Sequence, residues 1–371
     1  MLSFWENNTL SKYDFVVVGA GIMGCSVAYE LRQKYPNASI VVLERGIFPT
    51  GASTKNAGFM CYGSPTEILH DIALLGEQKA IEIVWQRFEG LKILTERFGN
   101  DKIDTTNFGG NELIIGNKLP ILSQDKIDYL NTILMSIFKF PVFSDFSAKI
   151  KEYGFSNAVN QLLFCAMEKQ IDSGKLMTHY WKLLQEKNIQ IKTGANVKNI
   201  QGSILYLNNE ATGDFVIAAE KIVLCTNAFI NELVPEMPVK PGRGQVIITN
   251  EIENLPFKGS FHFDEGFYYF RNVGKRVLFG GARNLDFETE ETTAFEPNAK
   301  IINHLIDKLK EIILPNKPFE IEHYWQGIMG FSNNKLPIVM PLNNCTKYVM
   351  SCNGMGVALS PFVAKIAVNG I

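Results

Sequence analysis

Gly19-Ala20-Gly21-Ile22-Met23-Gly24 spells G-x-G-x-x-G, and its surroundings make the chemistry specific. The apolar run "DFVVVGAG" enters it as a strand. "IMGCSVAYELRQKY" leaves it at helical spacing, with Val27, Ala28 and Leu31 on one side, and "SIVVLE" follows as a second buried strand that ends in Glu44. Gly19 permits a tight turn, Gly21 lets the backbone approach a pyrophosphate, and Gly24 lets helix and strand pack closely. The helix that opens at Ile22 and Met23 offers free amides and the positive end of its dipole to the anion. Glu44, with Arg45 beside it in the binding set, is placed to accept hydrogen bonds from a ribose hydroxyl pair. An acid there, where an arginine would serve a ribose 2′-phosphate, argues against NADP.

A second stretch, "GASTKNAGF" at residues 51–59, separates NAD from FAD. A flavin needs hydroxyls, amides and small residues along its phosphates, ribityl chain and ring. Ser53 and Thr54 suit phosphate or ribityl oxygens, Asn56 with the Ala57 and Gly58 backbone suits the ring edge, and Lys55 brings a cation near the flavin. The competing reading is an ordinary polar loop; the preceding fingerprint weighs against it.

These groups need elements to hold them. The first strand, helix and second strand make a βαβ unit. A helix is expected from a cap at Thr66 through Ile68, Ile72, Leu75, Ile81, Ile83, Val84 and Phe88, and another where Ile301, Ile302, Leu305, Ile306 and Leu309 recur at three and four. Between about 236 and 330 the pattern alternates, as in "GQVIITN" and "GFYYFRNVGKRVLFGG" with a turn at Asn272 to Lys275, which predicts an antiparallel sheet. "KYVMSCNGMGVALSPFVAKIAVNGI" reads as strand, glycine turn and helix.

The chain has 371 residues, is 46% hydrophobic, and carries 36 basic against 38 acidic residues, interleaved. That suffices for one large or two smaller cores, and the lack of a basic block argues against nucleic acid as a partner. Six cysteines include no C-x-x-C pair and no zinc-like Cys/His spacing, so no metal is expected and reduced thiols in the cytoplasm are the default. No secretory leader or membrane span is read in the chain. Without a Pro/Gly/Ser-rich linker, two domains would have to share segments.

In order along the chain, "DFVVVGAGIMGCSVAYEL", "VVLERG", "GASTKNAGF", "QIDSGKLMTHYWKLLQEKNIQI", "IVLCTNAF", "PGRGQVI", "YWQGIMGFSNNKLPIV" and "CNGMGVALSPFVAK" resemble the FAD-dependent D-amino-acid oxidase superfamily. The resemblance implies an α/β (overall α+β) architecture: a glutathione-reductase-like Rossmann domain for FAD with an antiparallel-sheet substrate domain. It places residues 1–90, 150–235 and 330–371 in the former, and 91–149 with 236–329 in the latter. It implies that Val197 holds the adenine end, that Thr226 and Asn227 line the dinucleotide, and that Gly354, Met355, Gly356, Val357, Ala358 and Leu359 sit at the flavin's pyrimidine end. A helix N-terminus after a glycine turn suits negative charge at that edge.

Departures from the resemblance carry expectations too. No cysteine lies between Cys225 and Cys345, where covalent members attach the cofactor, so FAD should be held non-covalently. The arginine with which glycine-oxidase-like members grip a carboxylate is matched by Met329, and the lysine that sarcosine-oxidase-like members place over the flavin is matched by about Leu278. Lys55 is a candidate replacement for that lysine, leaving oxygen or another electron acceptor open. Tyr269, Arg271, Arg283, His323, Tyr324 and Trp325 are candidates for the pocket, of which alternation turns only half inward. Arg271 is the first candidate for an anion grip, against a plainly solvated role; Arg243 in "PGRGQ" reads as architecture.

The expected activity is oxidation of a C–H bond next to the nitrogen of a small amine or amino acid, by hydride transfer to flavin N5. No dedicated base is required if burial lowers the amine pKa. Two alternatives are a 2-hydroxy acid dehydrogenase, in which His323 or His262 would take the hydroxyl proton, and a flavoprotein acting on a macromolecule such as modified tRNA.

Overall fold

The computed structural model describes residues 3–116, 120–209, 213–333, 336–350 and 353–371. Ser351, Cys352, Asn334 and Lys335, parts of two of the matched motifs, lie outside the described residues. Two eight-stranded sheets organise the chain.

The first sheet is built around Lys12–Val18, whose last four residues are buried. It pairs in parallel with Ile40–Leu43 on one side and Gly213–Leu224 on the other; Gln190–Lys192 and Thr346–Met350 extend these flanks, also in parallel. Strands buried on both faces read as continuous Val/Ile/Leu runs because helices cover them. The helices here are Ile22–Lys34 and Gly356–Asn369, which pack on each other as well as on the sheet. Gly24 is needed for this: a Cβ there would stand 1.8 Å from the carbonyl oxygen of Gly19.

The second sheet runs in the order Ile321–Phe331, Lys240–Thr249, Arg276–Gly281, Tyr268–Val273, Ser260–Phe263, Gly110–Ile115, Val159–Cys165, Phe143–Asp145. It is antiparallel except where Ser260–Phe263 meets Gly110–Ile115 in parallel, a pairing that local alternation does not reveal. Val159–Cys165, which the domain division above put with the FAD-binding segments, pairs here. Alternation sorts the two faces. Phe261, Phe263, Phe270 and Phe279 pack one face with Phe155 and Phe257, under the helix Ala299–Lys308. The opposite face carries a cross-strand row: Glu112, His262, Tyr269, Gly280 and Val246 lie side by side on five neighbouring strands.

The helix expected from Thr66 to Phe88 is two helices, Pro65–Leu75 and Glu77–Phe98, broken at Gly76 (φ +87°). Its N-cap is Ser64, with Pro65 at the first helical position, where the missing N–H costs nothing. The Thr66 amide and hydroxyl and the Ser64 hydroxyl all donate to the buried carboxylate of Glu112. That anchors this helix to the second sheet. The later helix starts behind the cap Asn298 and ends in a π turn, Leu309–Ile313. The hairpin turn at Gly274 and Lys275 falls as expected. No helix among the described residues is long and apolar enough to cross a membrane.

Candidate active site

A cavity of about 680 Å³ runs between the two sheets. It is bordered by Gly19, Gly21, Ile22 and Met23 at the N-terminus of the helix Ile22–Lys34, and by Gly354 to Leu359 at the N-terminus of Gly356–Asn369. Neither helix has a side-chain bond from its own N-cap residue, and both turn a positive dipole end toward the cavity. Gly19 (φ +101°) and Gly354 (φ +81°) adopt the left-handed turns that reach these helices.

The cofactor-type residues arrive from four distant segments. Glu44 is buried, its two carboxylate oxygens accepting from the amides of Ala20 and Gly46, each at 3.0 Å. Burial raises its pKa against the pull of those amides. Arg45 pairs with Glu232 at 3.2 Å and lies over the ring of Phe229. The Ser53 hydroxyl accepts from the Ile22 amide and stands 2.7 Å from where a Cβ on Gly21 would be. Val197, Thr226 and Asn227 complete this wall. Among the described residues, the buried Thr226 Oγ1 and Asn353 Nδ2 have no hydrogen-bond partner, and both residues border the cavity.

Three residues of the cofactor set do not line it. Gly24 is used for helix packing, as its spacing foretold. The Thr54 hydroxyl turns back to the Pro49 carbonyl at 2.7 Å, which closes the loop instead of serving a ligand. Gly58 (φ +72°) takes its turn against the Ile171 carbonyl, which a Cβ would meet at 2.3 Å. Asn56 and Ala57 border the cavity, but the Asn56 amide folds the loop, bonding Ser53 O, Gly58 N and Ser173 Oγ.

The second sheet supplies the other half. Tyr269 borders the cavity, and burial pushes its hydroxyl up to about 12, so it stays protonated at neutral pH. Met329 and Phe59 flank it, and the Phe59 ring meets Tyr269 and His262 edge to face. Lys55 borders the cavity with its ammonium 5.6 Å from the Phe295 ring centroid, while its carbonyl accepts from Trp325 Nε1. Arg283 also borders it, its guanidinium stacked on Phe331 and Phe287.

Two candidates are corrected. Arg271 shares the Tyr269 face of its strand but ends in protein: its Nη1 donates to the carbonyls of Ala57, Gly58 and Ile171 at 3.0, 2.9 and 2.8 Å. It buttresses the loop and does not border the cavity; burial pushes it down to about 10. His323 lies exposed near the start of the sheet's edge strand, stacked on Trp325, away from the cavity. His262 occupies the position of interest. Its Nε2 is buried 3.6 Å from a Glu168 carboxylate oxygen, just beyond hydrogen-bond reach. Glu168 was not foreseen; it sits in a turn between strands, where no periodicity marks it.

A long cavity with anion-seeking helix ends and a polar loop along its length suits a dinucleotide carrying a ring system, and this arrangement defines the class of FAD-dependent oxidoreductases. The model of the family described as FAD dependent oxidoreductase (DAO) matches residues 14–369, and the chain belongs to that family. Its cofactor is therefore FAD, and the unpartnered Thr226 hydroxyl at the cavity fits such a ligand.

Among curated proteins, the bifunctional protein ThiO/ThiG of Trichormus variabilis is 22% identical over 369 residues, covering 95% of this chain and 52% of that protein. The protein of the same name from Nostoc sp. is 23% identical over 209 residues, 54% of this chain and 30% of that protein. The chain thus spans about half the length, or less, of these relatives. The same fold occurs in L-proline dehydrogenase from P. horikoshii (TM-score 0.74, 15% identity, 97% and 93% of the two chains) and glycine oxidase from Geobacillus kaustophilus (TM-score 0.70, 18% identity, 95% and 93%).

Proposed function

We propose that the protein oxidises the C–H bond next to the nitrogen of a small amine or amino acid. Bound FAD supplies the hydride acceptor, and oxygen or another acceptor takes the electrons onward. The observation that carries this reading is the wall beyond the cofactor residues, where Phe59, Val246, Tyr269 and Met329 present largely apolar surface. An amine pressed against such a wall loses hydration, which favours its neutral form, the one with a nitrogen lone pair available to assist C–H cleavage. The protein's own part is to orient that nitrogen and exclude water, with the protonated Tyr269 hydroxyl as a hydrogen-bond donor. Support also comes from the neighbours that share the fold, which include an L-proline dehydrogenase, a glycine oxidase and an iminodiacetate oxidase. We propose non-covalent FAD, since no cysteine lies between Cys225 and Cys345.

The test is anaerobic mixing of the holoenzyme with glycine, sarcosine, proline and D-amino acids, followed by the flavin absorbance. Bleaching by at least one amine is expected. If all leave the spectrum unchanged while dithionite bleaches it, the reading is wrong.

His262 favours a second reading, 2-hydroxy acid oxidation, because an alcohol needs a base for its hydroxyl proton. Burial opposes the imidazolium, but Glu168, joined by Glu67 and Glu112, outweighs it and raises the His262 pKa. Bleaching by lactate or 2-hydroxyglutarate that disappears in His262→Gln would establish this alternative.

A further inference from the structure

We propose that Cys61, Glu168 and His262 bind a divalent cation of the zinc class, beside the cavity and with one coordination position open to it. The site stands apart from amine oxidation, which uses none of the three residues. A sulfur, a ring nitrogen and a carboxylate oxygen, one from each residue, lie within 4.8 Å of one another. Glu168 Oε2 and His262 Nε2 are 3.6 Å apart. The ligand atoms of a tetrahedral zinc stand about 3.3–3.8 Å from each other, so the farthest pair has about 1 Å to close.

Three separate segments build the cluster, which is why no sequence spacing marks it. The short strands Phe59–Met60 and Lys169–Gln170 pair antiparallel, Met60 with Lys169, which sets Cys61 and Glu168 opposite each other just beyond the ladder. His262 comes from the strand Ser260–Phe263 of the second sheet. Gly110, the partner of Ser260 on the next strand, makes room for the acid: a Cβ there would stand 1.8 Å from Glu168 Oε2. The Phe59 ring meets the imidazole edge to face, their centroids 5.1 Å apart, and so helps to fix its plane.

Polar bonding around the cluster is incomplete. Glu168 is 2% exposed, yet the bonds its oxygens accept from the Tyr62 amide and the Ser260 hydroxyl are long, at 3.4 Å each. His262 Nε2 is buried with no hydrogen-bond partner among the described residues. A buried carboxylate and a buried ring nitrogen in this state are costly. A divalent cation offsets both: it takes the nitrogen lone pair and the carboxylate, and it displaces the Cys61 proton to solvent. One thiolate and one carboxylate then balance its two charges. The sulfur selects zinc-like metals over Mg2+ and Ca2+, which take oxygen ligands. Glu67 and Glu112 add negative field at His262 without competing as ligands, since Glu67 pairs with Arg87 at 3.0 Å and Glu112 accepts from Ser64 and Thr66.

Cys61 and His262 border the cavity and Glu168 does not, so the open side of the cluster is the cavity side. Water, or a ligand in the cavity, completes the shell there. A metal at Nε2 occupies the lone pair with which His262 would take a hydroxyl proton, so the cation and the hydroxy acid reading compete for one atom.

The experiment uses FAD-loaded protein dialysed against a chelator. Co2+ serves as a coloured probe for Zn2+. In wild type it should give the intense visible bands of tetrahedral cobalt, to the red of the flavin absorption, with a thiolate-to-cobalt charge-transfer band, and Zn2+ should abolish both. Calorimetric titration with Zn2+ then compares wild type with Cys61→Ser, Glu168→Gln and His262→Gln, and with Cys345→Ser as a control. Each of the first three should bind at least about 100-fold more weakly, beyond the about 10- to 100-fold that loss of an outer-shell partner costs, and the control should bind like wild type. Zinc affinity equal in wild type and all three site variants means binding at the surface only and overturns the proposal. So does a wild-type cobalt spectrum without the charge-transfer band, and that measurement decides where a variant does not retain FAD. None of these readouts involves turnover, so a failure of amines to bleach the flavin leaves the site standing, and loss of the site leaves amine oxidation standing.

Discussion

Tyr269 lies over Gly280, its partner on the adjacent strand: a Cβ at position 280 would stand 2.7 Å from Cε2, Cζ and the hydroxyl oxygen of the phenol. The ring therefore owes its place in the cavity to a missing side chain. Gly244 likewise presents no side chain to the phenol: a Cβ there would stand 4.0 Å from the hydroxyl. Gly280→Ala should push the phenol off its position, at a stability cost of about 1–3 kcal/mol for overpacking. Substrate-driven flavin reduction, followed by anaerobic stopped-flow, should slow at least about tenfold, the scale of losing one positioned contact. Tyr269→Phe, which keeps the ring and removes the hydroxyl, separates position from hydrogen bonding. Unchanged kinetics in both variants would show that this face does not meet the substrate.

Glu44 is held ready by two backbone amides while burial works against its charge. Ribose hydroxyls would donate to this carboxylate and restore what water no longer provides. Glu44→Ala should weaken FAD by about 1.5–3 kcal/mol, the worth of hydrogen bonds to a charged group, or roughly 10- to 150-fold. Titration of deflavinated protein with FAD, read by quenching of flavin fluorescence, measures it. An affinity within twofold of wild type would remove Glu44 from the binding set.

Lys55 is fixed at its backbone by Trp325, and its Cβ packs 3.2 Å from the position a side chain on Gly327 would take. Its ammonium is the cation brought by the "GASTKNAGF" loop to the cavity. A cation near the flavin stabilises negative charge developing on oxygen. Lys55→Met should therefore slow reoxidation by oxygen about tenfold or more and leave reoxidation by a neutral artificial acceptor near the wild-type rate. If both acceptors respond equally, the effect is one of structure and Lys55 has no role toward oxygen.

The sequence showed best where one short segment holds the whole relationship. The glycine fingerprint, the acid after the second strand and the alternation that sends Phe270 inward and Tyr269 outward are all local. The row Glu112, His262, Tyr269, Gly280 and Val246 was not legible, because it depends on strand order and register between segments up to about 170 residues apart. Alternation put Arg271 on the correct face, but the three carbonyls that occupy it come from elsewhere in the chain. His323 failed for a related reason: its strand is an edge, and there the ring lies exposed against Trp325. Thr66 was the expected cap, but the helix begins behind Ser64 with Pro65 at its first position, and the buried Glu112 binds both hydroxyls.

Arg243 and Glu290 form a buried pair at 2.8 Å, with Gln245 and Asn298 also donating to the carboxylate. Burial pushes the Glu290 pKa up, but Arg243, Asn298 and Gln245 outweigh it and hold it below the ordinary value of 4.5. A carboxyl with a depressed pKa stabilises the fold above its unfolded pKa, and that contribution is lost as pH falls through the folded one. Arg243→Met should reverse the sign: with the cation gone, burial raises the Glu290 pKa, so its contribution is retained in acid and lost as pH rises. The variant should be about 3–5 kcal/mol less stable than wild type at pH 7, as expected for a buried charge left alone, with a smaller gap near pH 4. Urea unfolding of both proteins across that range measures the gap, and Arg243→Met combined with Glu290→Gln should recover much of the loss at pH 7. A gap that stays constant from pH 7 to pH 4 would mean that the pair contributes packing and hydrogen bonds but no charge-dependent stability.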